Sequence, residues 1–226
     1  MSRAVIFDFD GVIVNSEPIH FQGLNRALAP EGIDVSWEQY QERYLAFDDK
    51  TCFSAVFRDW GRELSFSKRT ELIERKAGIV HQLMEGGESL FPGVMELIPC
   101  LATTVPLAVN SGALRAEIEL VLTGTGLRHH FTTIVSSEDV TRCKPDPEGY
   151  LLALQRLNEL INPHPWLQPE DCWVIEDSVQ GVESAIRAGM KCLAVTNSYP
   201  ADALSRATRI VSSLEEVSTT CVSGWY

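Results

Sequence analysis

Several features that mark large protein classes are missing from this chain. No apolar run approaches the ~18 residues that a membrane-crossing helix needs, and no charged, apolar and small-residue leader pattern is found at its start. A cytoplasmic protein is therefore expected. The six cysteines, Cys52, Cys100, Cys143, Cys172, Cys192 and Cys221, include no CxxC pair, and several lie in apolar segments. That spacing argues against a disulfide framework and for free thiols in a reducing compartment. Basic residues are scarce, with 19 Lys and Arg against 31 Asp and Glu and a formal net charge of −12. Such a surface repels phosphate backbones and anionic lipid, so neither nucleic acid nor a membrane is expected as a partner. An anionic small molecule stays open, because a pocket can be locally positive. A divalent cation suits the acidic bias. Internal repeats and low-complexity segments are absent too.

What is present is a chain of 226 residues, 45% of them hydrophobic, which is enough for a real core in one large domain or two small ones. Short apolar runs recur at residues 4–9 (AVIFDF), 105–111 (VPLAVNS), 132–137 (TTIVSS), 172–177 (CWVIED), 192–197 (CLAVTN) and 209–213 (RIVSS). Helix-period stretches separate most of them, for example 113–122, 147–160 and 178–188, the last closed by Gly189. Strands alternating with helices predict an α/β fold, a doubly wound parallel sheet with helices on both faces. From about residue 17 to residue 90 the alternation stops. Helical patterns follow one another around 18–28, 37–44, 51–59 and 68–84. The expected organisation is a catalytic core of residues 1–16 and 91–226, with a small all-helical cap of residues 17–90 inserted after the first strand. Linkers near residues 15–18 and in the Gly-rich stretch 85–93 would act as hinges.

The first run, VIFDFDGVIV, sets two aspartates, Asp8 and Asp10, inside a greasy strand. An unpartnered buried carboxylate costs several kcal/mol, roughly, so two of them call for a function. Alternation along a strand puts both on one side, with Phe9 facing away. In open parallel sheets, ligands bind at the carboxyl ends of the strands. The second strand ends in Asn110-Ser111-Gly112, just before an expected helix. The third is followed by SSEDVTRCKPDP, which carries Lys144. The fourth ends in Glu176-Asp177-Ser178. One sheet edge thus gathers four carboxylates, a hydroxyl and an ammonium.

Clustered carboxylates repel unless a cation sits among them, and a hard divalent ion with oxygen ligands fits, Mg2+ above all. Asp8, Asp10, Glu176 and Asp177 are the expected metal residues. The set suits nucleophilic phosphoryl transfer. Asp8 would attack phosphorus to give an aspartyl-phosphate. Asp10 would protonate the leaving oxygen and then deprotonate the attacking water. Ser111 and Lys144 would hold the transferring oxygens. Gly11 and Gly112 allow close backbone approach, and with Asn110 they are read as substrate contacts.

These signals in order resemble the haloacid dehalogenase-like hydrolase superfamily. DFDGV matches its DxDG(V/T) motif, Ser111 in LAVNSG its hydroxyl motif, Lys144 in CKPDPEGY its lysine motif, and VIEDSVQGVESAIRAGM its acidic pair. The resemblance spans nearly the whole chain. It implies a Rossmann-like core, a helical cap, Mg2+, and a metal contact from the Asp10 backbone carbonyl that leaves its carboxyl free for proton transfer. Within the superfamily, DGVIVNSEPIHFQGLN is similar to the branch of beta-phosphoglucomutase and the CbbY-like sugar-phosphate phosphatases. That branch implies His20 near the acid–base aspartate and a cationic cap residue at Lys76. In YLAFDDKTCF this chain departs from the mutase: Ala46 replaces a usual Gly, and Asp48 and Asp49 precede Lys50 where the mutase has an Arg. Leu24 also stands where the mutase has a Trp. The expected activity is therefore a Mg2+-dependent phosphatase acting on a small phosphorylated metabolite, a sugar phosphate. Asp49, Lys50 and Lys76 would be its substrate-facing cap residues. A phosphosugar mutase and a non-catalytic binding protein are the alternatives. The expected assembly is a monomer or a weak homodimer.

Overall fold

A computed structural model describes residues 4–45, 47, 49–85 and 90–217, with the backbone alone at 84 and 85. Ala46, Asp48, residues 86–89 of the expected return linker and Cys221 lie outside the described residues. The described residues divide into two compact units, 4–15 with 90–217, and 16–85.

The larger unit is built on six short strands: β1 (Ala4–Phe7), β2 (Leu107–Asn110), β3 (Phe131–Val135), β4 (Cys172–Glu176), β5 (Lys191–Val195) and β6 (Arg209–Val211). They form one sheet in the order β3-β2-β1-β4-β5-β6, and every pairing is parallel. Its helices are α5 (Val94–Ala102), α6 (Arg115–Gly124), α7 (Glu148–Ile161) and α8 (Val179–Arg187).

Alternation decides which side chains meet which helices. Val5, Phe7, Leu107, Val109, Trp173 and Ile175 form one buried cluster with Leu97, Ile98 and Leu101 of α5 and Ile118 and Leu122 of α6. Ala4, Ile6, Ala108, Val174, Cys192 and Ala194 form the other, with Tyr150, Ala153 and Leu157 of α7 and Val182 and Ala185 of α8. With both faces covered, the strand ends are the remaining place for polar chemistry. Among the described residues the cysteines are free thiols, and no helix is long and apolar enough to cross a membrane.

Two boundaries that bear on the site differ from the sequence expectation, and one helix is additional to it. β1 stops at Phe7, not Phe9, because the chain turns there: the N–H groups of Ile13 and Val14 both donate to the Phe9 carbonyl, and Gly11 takes φ +80°. Asp8, whose N–H still donates to the Ile175 carbonyl of β4 at 2.9 Å, closes the ladder, and Asp10 stands on the turn beyond it, so strand alternation does not relate the two. Ser111 does not open a helix; α6 begins four residues later, at Arg115. The helix α5, which carries Pro99 inside it, was not anticipated.

The smaller unit is all helical: α1 (Glu17–Leu28), α2 (Trp37–Arg43), α3 (Asp49–Asp59) and α4 (Phe66–Glu85). Leu24 and Leu28 of α1, Phe53 and Val56 of α3 and Leu72 of α4 form its core. Ser36 caps α2 by accepting the Gln39 N–H at 3.1 Å, and the Gln39 side chain accepts the Ser36 N–H at 3.0 Å. The chain leaves and re-enters the sheet unit at neighbouring points. Val14 bridges Leu90, and the Phe91 N–H donates to the Ile13 carbonyl at 3.1 Å.

One polar network stiffens the loop after β3. Asp139 pairs with Arg156 at 2.8 Å and Arg115 at 2.5 Å, and accepts from the Ser136 N–H at 2.8 Å and hydroxyl at 2.9 Å. Burial opposes the charge, but the Arg156 and Ser136 bonds win and hold the carboxyl below its usual range. A depressed carboxylate contributes stability above its unfolded pKa and loses it as pH falls through the folded value. Asp139→Ala is expected to lower stability by about 2–4 kcal/mol at neutral pH, since two guanidinium groups lose their shared partner. The deficit relative to wild type should shrink on acidification. Urea titrations at two pH values check both parts.

Candidate active site

The carboxyl ends of β1 and β4 and the loop after β3 converge on one buried cluster. Lys144 is its hub. Its Nζ lies 2.8 Å from Asp8 Oδ1 and 2.6 Å from Glu176 Oε1, and 5.2 Å from the centroid of the Tyr150 ring. Glu176 is fully buried and fully bonded. Oε1 also accepts the Tyr150 hydroxyl at 2.8 Å, while Oε2 accepts the Asp177 N–H at 2.9 Å and the Ser178 N–H and hydroxyl at 3.0 Å each. Gly181 makes room for this carboxylate, because a Cβ there would collide with it.

Asp177 is held differently. It accepts the Ser198 hydroxyl through Oδ2, and it packs so closely on Gly11 that a Cβ at Gly11 would overlap it. Asn197 Nδ2 donates to the Gly11 carbonyl at 2.7 Å. Ser111 Oγ lies 3.5 Å from Asp10 Oδ2 and accepts the Ala113 N–H at 3.0 Å. Its own N–H donates to the Val135 carbonyl at 3.0 Å. Asn110 is buried, and its Nδ2 meets no acceptor among the described residues. A cavity of about 20 Å³ lined by Asn110, Ser111, Gly112 and Lys144 lies beside it.

The charges divide by surroundings. Burial, then the charge of Glu176, pushes Asp8 well above the usual carboxylate range against the pull of Lys144. Burial and Glu176 likewise push Asp177 up to about 7. Glu176 goes the other way: burial opposes its charge, but Lys144 and its hydrogen bonds hold it low. Lys144 resists its own burial because Asp8 and Glu176 keep it charged. One oxygen from each of Asp8, Glu176 and Asp177 lies within 4.8 Å of the others. Three carboxylates thus face one ammonium, and two of the three are destabilised as anions. That all-oxygen donor set fits a hard divalent cation. Asp10 is not among these clustered side-chain ligands.

The family profile of haloacid dehalogenase-like hydrolases matches residues 5–195, from the first strand to the end of β5. The chain belongs to this family. Protein CbbY of Rhodobacter capsulatus is 29% identical over 204 residues, covering 87% of this chain and 86% of its own length. A phosphorylated carbohydrates phosphatase of Thermotoga maritima is 30% identical over 193 residues, covering 84% and 82%. The crystal structure of CbbY from Rhodobacter sphaeroides, solved with phosphate, superposes with a TM-score of 0.82 at 25% identity, covering 100% of this chain and 99% of that one.

In this haloacid dehalogenase-like chain, the residues read from the sequence fall into two groups. Asp8, Asp10, Gly11, Asn110, Ser111, Gly112, Lys144, Glu176 and Asp177 all lie in the sheet unit, at the strand ends just described. His20, Asp49, Lys50 and Lys76 lie in the helical unit. There, Lys76 of α4 is buried and paired with Asp49 at the start of α3, His20 is on α1, and Lys50 is exposed. Tyr150, Ser178, Gly181, Asn197 and Ser198 were missed as site residues. The strand-end rule, applied to four strands, would have found Asn197 and Ser198 had it been extended to the fifth. Tyr150 carries no such signal, being one more apolar-face position of a helix.

Proposed function

We propose that this hydrolase is a Mg2+-dependent phosphatase that releases phosphate from a small phosphorylated metabolite, a sugar phosphate, through an aspartyl-phosphate at Asp8. The observation that carries the proposal is the buried contact of Lys144 with Asp8 and Glu176 at 2.8 and 2.6 Å, beside the three-carboxylate cluster. A lysine held that way pulls the nucleophile toward its ionised form, against burial and Glu176, and offers a charge to the transferring oxygens.

Asp8, Glu176 and Asp177, with the Asp10 carbonyl, would hold the ion. When bound, Mg2+ shields phosphate charge and so permits attack by a carboxylate. Asp8 attacks phosphorus. Asp10 gives a proton to the leaving oxygen and later takes one from water. Ser111 Oγ, already oriented toward Asp10, and Lys144 bind the phosphoryl oxygens. Asn110 Nδ2 supplies a further donor, and Gly11 and Gly112 leave the backbone open to the ligand. Glu176, with every oxygen bonded, also orients Lys144. The relatives support the substrate class, one being named for phosphorylated carbohydrates.

The helical unit would serve as the cap, with His20, Asp49, Lys50 and Lys76 facing the leaving group. The adjacent exit and entry points at Val14 and Leu90 suit a paired hinge. The first test is phosphate release from a panel of phosphorylated metabolites with Mg2+. Release from sugar phosphates is expected. No release from any of them, or isomerisation without release, overturns the phosphatase reading, the latter in favour of a mutase. Specificity is probed at Lys50, because Asp49→Ala would strand the buried Lys76 ammonium. Lys50→Ala is expected to lower kcat/KM for the best substrate by about 10–100-fold and to change hydrolysis of a small aryl phosphate much less. Equal losses on both substrates would remove Lys50 from substrate recognition.

A further inference from the structure

We propose that the segment after β5, through Asn197 and Ser198, is a positioning clamp that sets how tightly the acidic cluster holds its divalent cation. The inference rests on the metal reading of the site and extends it to residues on a fifth strand end. Two bonds define the clamp. Ser198 Oγ donates to Asp177 Oδ2, and Asn197 Nδ2 donates to the Gly11 carbonyl at 2.7 Å. Two consecutive residues thus reach two different strand ends, the turn after β1 and the end of β4. Those ends already touch, since Gly11 and Asp177 leave no room for a Cβ between them. Parallel pairing of β4 with β5 sets Glu176 opposite Ala194, which puts the segment after Val195 beside Asp177.

A carboxylate with one oxygen bound loses rotational freedom about its last torsion. The hydrogen bond from Ser198 fixes the carboxylate plane of Asp177 and commits one oxygen. The other oxygen is then presented to a cation without the entropy of ordering a free side chain. Partners of this kind typically change metal affinity by about 10–100-fold. Ser198 itself is exposed, so its hydroxyl is not needed for the core. Among the described residues its hydroxyl bonds to Asp177 and to neither Asp8 nor Lys144. Its expected influence is therefore on ion binding, and much less on the chemical step once the ion is in place.

The test is Mg2+ titration of the metal-free protein by calorimetry, with the Mg2+-induced shift in Tm as a second readout and kcat at saturating Mg2+ as a third. Ser198→Ala is expected to weaken Mg2+ binding about tenfold and to reduce the Tm shift at a fixed Mg2+ concentration. Its kcat at saturation should stay within about threefold of wild type, and Ser198→Thr should restore the affinity. Asn197→Ala, which leaves the Ser198 hydroxyl in place, should weaken binding in the same direction. Unchanged Mg2+ affinity in Ser198→Ala, while wild type binds Mg2+, overturns this inference and leaves the metal reading standing. So does a variant that loses Tm and kcat with unaltered affinity, because the segment would then brace the fold only. A wild type that binds no Mg2+ overturns the metal reading and this inference with it.

Discussion

Asp8→Asn is expected to abolish turnover, lowering kcat by at least about 10⁴-fold, while the protein stays folded. The substitution is nearly isosteric. The side-chain oxygen that faces Lys144 Nζ at 2.8 Å can still accept from it, so the hub of the site keeps its partner. What disappears is the proposed nucleophile, and an amide cannot attack phosphorus at a useful rate. The stability consequence is as specific as the kinetic one. Asp8 in the folded protein is pushed upward by burial, then by Glu176. A carboxyl raised in this way contributes stability below its unfolded pKa of about 3.9 and loses it as pH rises through the folded value. Asparagine does not titrate, so the metal-free variant should be at least as stable as metal-free wild type above neutral pH. Residual turnover above about a tenth of wild type would remove Asp8 from the nucleophile role, and a collapsed Tm would show that the loss was one of folding. Phosphate release and thermal melts on the same preparations separate the two.

The sheet was legible because buried parallel strands are short apolar runs, and this chain spaces six of them with helices between. The candidate site was legible to the extent that polar residues interrupt those runs at their ends: Asp8, Asn110 with Ser111, and Glu176 with Asp177. What eluded the sequence has physical causes. The turn that lifts Asp10 off the ladder depends on Gly11 at φ +80° and on two N–H groups converging on Phe9, whereas in the sequence apolar residues resume at once and run to Val14. Ser111 looks like a helix cap, but the chain spends three more residues before α6, and the hydroxyl accepts the Ala113 N–H instead. The pairing of Asp49 with Lys76 joins residues 27 positions apart on different helices, and no local rule anticipates it. Tyr150 is the instructive miss. Its ring serves the core and its hydroxyl serves Glu176, and only the first of these leaves a periodic trace in the sequence.

Removal of the divalent ion is expected to silence the protein completely, and pH should modulate what the ion does for stability. The argument starts from the unequal charges of the cluster. Glu176 is held low by Lys144 and its hydrogen bonds, while Asp8 is raised and Asp177 is pushed up to about 7. Without a cation, raising the pH through that range forces two buried carboxyls to ionise beside a third. Both folded values lie above the unfolded ones, so at these two groups the native state binds more protons than the unfolded chain, and their contribution to metal-free stability should be lost as pH rises from about pH 4 through the folded values. A bound divalent ion needs those same oxygens unprotonated and stabilises only the folded form. The Mg2+-induced rise in Tm should therefore be small near about pH 5.5 and larger near about pH 8. Activity should vanish after exhaustive chelation and return with Mg2+. Ca2+ should restore it poorly, because Ca2+ takes more ligands at distances longer by about 0.3 Å or more and spoils an in-line displacement. Chelated protein that still turns over would exclude a metal role for Asp8 and Asp177. A Tm shift of equal size at both pH values would show that the ion binds away from the two carboxyls that titrate.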